Sequence, residues 1–199
     1  NISGLTKNSA EFRQSLFLNK HYVTIQFKAL PAQQEKNNLK AAGIELIDYI
    51  PNYAYTVSVS ADFDLSSFKS FNLRSVFQFT AAQKTVPALL SGTIPPHAIQ
   101  QPGYVDLTVI TYEKLTVGQI TGSLLPLSAS ILEDMPMFRS FTIRIPQSNM
   151  QQLINLPYVQ WVEFIDAPNQ LENTLGRTLH RVNVLNDGVR NLKGDGINI

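Results

Sequence analysis

From Tyr22 onward apolar and polar residues alternate, with Val23, Ile25 and Phe27 on one side, which predicts a strand over residues 22–28. The segment "PAQQEKNNLKAAG" follows. Pro31 suits the first turn of a helix, the middle is rich in helix formers, and Gly43 stands where a left-handed C-cap is expected. Next come "IELIDYI", a turn at Pro51-Asn52, and "YAYTVSVS", whose Tyr53, Tyr55, Val57 and Val59 recur with period two: a hairpin. Asp64 as cap, with Leu65, Phe68 and Phe71 at three-residue spacing, predicts a second helix, and "LRSVFQF" a fourth strand. The order is βαββαβ.

The second half repeats it. Val105, Leu107 and Val109 mark a first strand, residues 116–127 a helix, and Met135-Pro136 a hairpin. A fixed offset lays Pro51 on Pro136, Leu65 on Met150, Phe68 on Leu153, Phe77 on Val162 and Phe79 on Phe164. One residue must slip within the third strand to bring Val57 and Val59 onto Ile143 and Ile145. Four strands and two helices in this order bury both helices on one face of an antiparallel sheet, with right-handed crossovers. The expected fold is α+β, two tandem ferredoxin-like (βαββαβ) units over residues 20–84 and 104–166. Residues 85–103, rich in Pro and Gly, read as a linker packed by Leu89, Leu90 and Ile94. Each sheet keeps one face free of helices; in the second unit that face is expected to carry residues such as Arg139 or Phe138, according to register.

Composition narrows the function. Hydrophobic residues make up 44% and charged residues 16%, with 16 Lys+Arg against 15 Asp+Glu, which speaks against disorder and against a nucleic-acid partner. Cysteine is absent, and His21, His97 and His180 are too scattered for a metal cluster, so no metal and no cofactor is expected. No apolar run approaches the roughly 20 residues of a membrane helix. The start at Asn1, without Met or a leader, fits removal of a signal peptide and simple trimming of the chain alike; export, with the signal peptide absent from this chain, is the expected localisation.

Local catalytic signatures are missing. Ser91 lacks the G-x-S-x-G elbow and reads as a linker serine; Glu133 and Asp134 read as a solvated turn; His180 reads as a structural residue of an amphipathic stretch. Trp161, Tyr49, Tyr53, Tyr55, Phe77 and Phe79 sit at strand positions without basic neighbours, as core or interface aromatics. Gly194-Asp195-Gly196 precedes a strand, whereas a phosphate loop follows one.

The tail "TLGRTLHRVNVLNDGVRNLKGDGINI" resembles the N-terminal lead-in of a subtilisin-like serine protease domain. There a glycine turn of the form G-x-G-[IV]-x-[IV] opens the parallel strand that ends in the catalytic aspartate. Gly194, Gly196, Ile197 and Ile199 match that form, and the aspartate would follow beyond Ile199. The resemblance implies a noncatalytic propeptide region: residues 104–166 as a ferredoxin-like prodomain that assists folding and then inhibits, preceded by a second such unit, with the cognate catalytic domain of the same precursor as partner. Residues 167–199 would hold the processing linker and the start of the catalytic domain. The implied inhibitory tail is Ala167, Pro168, Asn169, Gln170, Leu171, Glu172, Asn173, Thr174 and Leu175, with Leu171 or Leu175 in an apolar specificity pocket. A second reading is a pair of interaction or surface-assembly modules without inhibitory action. A third, a small-ligand sensor, finds no residue in its favour at this level.

Overall fold

The computed structural model describes residues 10–168. Ahead of the first predicted strand lie a short helix, α1 (Ala10–Gln14), and a two-residue strand, β1 (Leu16–Phe17). Leu18 and Asn19, at φ 46° and 64°, form the two-residue turn onto β2 (Lys20–Phe27). Then follow α2 (Gln33–Ala41), β3 (Glu45–Ile50), β4 (Ala54–Ser60), a 3-10 helix Leu65–Ser70, and β5 (Leu73–Phe77). The antiparallel sheet runs β3-β4-β2, and β5 and β1 share the remaining edge of β2.

Val23, Ile25, Phe27, Tyr55, Val57 and Val59 face the helices and form one core with Leu39, Ile44, Leu65 and Phe68. Phe12 of α1 is buried in the same core, although the sequence reading begins the unit at residue 20. The second helical segment is 3-10 rather than α. Asp64 caps it as expected, its Oδ1 accepting from Ser66 N at 3.0 Å, but Phe71 lies just past its end.

The connecting stretch is part of the second unit. Thr85 forms a parallel bridge to Val162 and donates its hydroxyl to the Val162 carbonyl at 2.7 Å. Leu89 of α3 (Pro87–Ser91) and Ala98 of the 3-10 helix Pro96–Ala98 are buried in the second core, and Ile94 packs against it. Leu90, expected to pack there, is exposed.

The second unit comprises β6 (Tyr104–Thr111), α4 (Val117–Leu124), β7 (Ser130–Met135), β8 (Ser140–Pro146), α5 (Met150–Ile154) and β9 (Val159–Phe164). Its antiparallel order, β7-β8-β6-β9, matches that of the first sheet. Val105, Leu107, Val109, Phe141, Ile143 and Ile145 pack on Ile120, Leu124, Leu153 and Ile154. The chain thus folds as two tandem ferredoxin-like units with antiparallel sheets and helices on one face of each. Both lie within one compact body that runs to Asp166.

The ladders correct the alignment of the halves. Ile25 pairs with Val76, and Val109 with Val162, so Val76, not Phe77, holds the place of Val162. The slipped residue lies in the hairpin: residues 51–53 join β3 to β4, residues 136–139 join β7 to β8, and the strands beyond keep the new offset. A loop absorbs an extra residue without turning a strand's apolar face to water, whereas a slip inside a strand would do so.

Candidate docking face

Pleating sends Asp106, Thr108 and Ile110 of β6 away from α4 and α5, and the register lines up partners beside them. Met135, Ser140, Ile110 and Trp161 form one row. Glu133, Thr142, Thr108 and Glu163 form the next, and Ser130, Arg144 and Asp106 the third. Arg144 grips Asp106 with two hydrogen bonds, Nε to Oδ1 and Nη2 to Oδ2, both 2.7 Å, a bidentate pair that fixes both groups. The Trp161 indole donates to Glu163 Oε2 at 3.0 Å, so the ring lies along the sheet with its donor satisfied. Ile110, Trp161, Thr108 and Thr142 remain half-buried. A face with an apolar row beside a charged one can receive a partner surface of the same mixed kind.

Arg139 and Phe138 do not carry this face. Both lie in the β7–β8 turn; Phe138 is 72% exposed, and Arg139, at φ 53°, reaches toward the first unit. Its Nη2 donates to Asp48 Oδ2 at 3.0 Å, where Gln160 Nε2 also donates at 3.2 Å. Glu133 and Asp134 are exposed, within β7 rather than in a turn.

The matching face of the first sheet has a different fate. Tyr22, Thr24, Thr56 and Ser58 point away from its helices, yet all are buried. Tyr112 stacks on Tyr22 with ring centroids 5.5 Å apart. Beside it, Glu113 accepts from Lys20 Nζ at 3.0 Å and Ser58 Oγ at 2.8 Å, and from the Tyr22 hydroxyl at 3.4 Å. Burial, then the Glu113 charge, push the Tyr22 phenol above its ordinary range. At Lys20, burial works against the charged form, but the hydrogen bonds and charges of Glu113 and Glu45 outweigh it and raise the pKa. The first face is therefore sealed by the second unit.

The resemblance to a known family falls on this sealed first unit. A profile described as a domain of unknown function, DUF8729, matches residues 3–80, ending just beyond β5 and covering less than half of the chain. No curated protein matches. Among solved structures, the acetolactate synthase small subunit of Thermotoga maritima is similar over 78% of this chain and 99% of its own, at 13% identity and a TM-score of 0.22. A superposition that loose carries no argument about this chain.

Of the expected inhibitory tail, Ala167 and Pro168 are described, and both are exposed just past β9. Asn169, Gln170, Leu171, Glu172, Asn173, Thr174 and Leu175 lie outside the described residues, as do His180, Gly194, Gly196, Ile197 and Ile199. The Ser91 hydroxyl donates to the Ala88 carbonyl at 3.1 Å, closing α3. His97 Nε2 lies 3.0 Å from the Ile165 carbonyl. One serine–histidine pair escaped sequence reading: Ser15 Oγ is 2.7 Å from His21 Nδ1. It is unsuited to nucleophilic attack, because Ser15 is fully buried and its hydroxyl bonds the Phe12 carbonyl at 2.6 Å. Among the described residues no group of His, Asp or Glu could hold a metal ion, and no helix is long and apolar enough to cross a membrane.

Proposed function

We propose that these two units are the noncatalytic propeptide region of an exported subtilisin-like serine protease, helping the catalytic domain to fold and then inhibiting it. The observation that carries this reading is the meeting, in one chain, of a ferredoxin-like sheet face that no helix of the described residues covers and the later motif Gly194-Asp195-Gly196-Ile197-Asn198-Ile199. A parallel α/β catalytic core depends on nonlocal pairings and folds slowly, and a template that binds its near-native surface lowers that barrier. The second sheet's Ile110, Trp161, Thr108 and Thr142 are the docking residues, on a face of about 800 Å² if the interface is of standard size. The chain then leaves β9 through the exposed Ala167 and Pro168 toward the substrate cleft, where residues 167–175 pair as an added strand. Pro168 keeps Ala167 extended on that approach. While uncut, the two partners share one chain and meet at an effective concentration on the order of mM.

The test is to refold the catalytic domain of the same precursor with and without residues 1–175 and to follow peptide hydrolysis. Faster recovery of activity, then its suppression as the propeptide accumulates, is expected. Equal recovery without suppression would reject the proposal and leave an interaction module that serves assembly alone.

A further inference from the structure

Lys84 is 94% buried, since its relative exposure is 6%, and neither a hydrogen bond nor an ion pair reaches its amine among the described residues. The amine lies over the face of the Tyr112 ring, 5.8 Å from its centroid. An ammonium so placed loses much of its hydration without gaining a counter-charge, which destabilises its protonated form. Lys84 also lines a cavity of about 170 Å³, together with Gln14, Gln78, Thr80 and Asn155. That space admits a small organic ion.

The polar atoms around the cavity limit what fits. Gln78 Nε2 is committed to the Tyr22 carbonyl at 3.1 Å, and Asn155 Nδ2 to the Gln151 carbonyl at 2.9 Å. Their amide oxygens accept no hydrogen bond among the described residues. The site thus offers one buried positive charge, two free acceptors, and the uncommitted amide of Gln14. One positive charge matches one negative charge; a dianion would leave an unpaired buried charge behind. Gln78 is half-buried and Asn155 exposed, so a donor on the same ligand takes the place of water at their oxygens.

We propose that this cavity, at the junction of α1, the segment after β5, and the end of α5, binds a small monocarboxylate that also carries a hydroxyl group, of the size of glycolate. The carboxylate pairs with Lys84, and the hydroxyl donates to the amide oxygen of Gln78 or of Asn155. Because the cavity draws residues from both units, the bound acid strengthens their junction. This site is independent of the protease reading: it lies away from the open face of the second sheet and needs no catalytic domain.

Thermal unfolding of the full chain at pH 7, at constant ionic strength, tests the proposal with glycolate as the probe and with sulfate and neutral glycolamide as controls. A rise of roughly 5–10 °C at about a hundredfold excess over Kd is expected with glycolate, and none with the controls. The response should vanish in Lys84→Met. Calorimetry of the unaltered chain at pH 8.5, in two buffers of different ionisation enthalpy, should show proton uptake on binding, because the carboxylate holds the proton on an amine that burial has lowered to about 8. That measurement stands even if the variant fails to fold. No shift with glycolate, a response equal to that of sulfate or glycolamide, a response retained in Lys84→Met, or binding without proton uptake would overturn the proposal.

Discussion

Burial lowers the Lys84 amine from its ordinary 10.5 to about 8. Between those values the unfolded chain holds a proton that the folded chain has released, so stability rises with pH from about 8 to 10.5, and below pH 8 the full penalty applies. The shift corresponds to about 3 kcal/mol. Lys84→Met should therefore raise stability by roughly 1–3 kcal/mol at pH 7, and the gain should fade near pH 10.5. Urea unfolding at the two pH values decides it: a gain equal at both would mean that the amine is not shifted. Ser15 poses the opposite case, a satisfied buried group. Removing its hydroxyl in Ser15→Ala takes away one of the two hydrogen bonds to the Phe12 carbonyl and the contact to His21 Nδ1, and should lower stability by about 1 kcal/mol in the same assay. Neither residue was legible in the sequence. Lys84 is buried only because elements of both units close over it, and Ser15 meets His21 only because the Leu18-Asn19 turn folds β1 back.

At the scale of single elements, the two longest helices end alike. After α2, Ile44 N bonds the Leu39 carbonyl and Gly43 N bonds the Lys40 carbonyl, with Gly43 at φ 82°. After α4 and its 3-10 extension Leu125–Leu127, Ala129 N bonds the Leu124 carbonyl and Ser128 N the Leu125 carbonyl, with Ser128 at φ 51°. Both are Schellman caps, but the second puts a Cβ in the left-handed region. A Cβ at Gly43 meets nothing within 4 Å, so Gly43→Ala should cost about 1 kcal/mol from backbone strain alone. Ser128→Gly should gain about 0.5–1 kcal/mol. Thermal unfolding checks the pair, and equal signs would show that strain is not the cause. The first cap was legible because glycine announces it; the second was not, because serine does not. The predicted second helix of the first unit also came out shorter and tighter. Three-residue spacing at Leu65, Phe68 and Phe71 suits a 3-10 helix as well as an α-helix, and length decided between them.

At the scale of the whole molecule, the two units differ in which rear face remains open. Asp48 links them, holding Arg139 and Gln160, with both Arg139 and Asp48 about a third exposed at 32%. A double-mutant cycle on Arg139 and Asp48 should give a coupling of only about 0.5–1 kcal/mol, because partial exposure screens the pair. Under the propeptide reading, Trp161→Ala should weaken inhibition of the cognate catalytic domain by roughly 10- to 100-fold, as loss of a central aromatic anchor does. Phe138→Ala, at the exposed hairpin tip, should leave stability within about 0.5 kcal/mol. Inhibition unaffected by Trp161→Ala would place docking elsewhere than on this face.

Alternation in the strands, helix formers ahead of Gly43, and Pro at both hairpins were enough to specify two βαββαβ units, because each signal is local and acts over a few residues. The tail motif was likewise readable as a run of residue types. What lay beyond reach depended on the meeting of distant segments: the Thr85 bridge to Val162, the sealing of Tyr22 and Ser58 by Tyr112 and Glu113, and the stranded charge of Lys84. Periodicity says which side of a strand is apolar, but only packing says what covers the other side. Two similar patterns therefore produced one sheet closed from behind and one whose rear face stays half-exposed among the described residues.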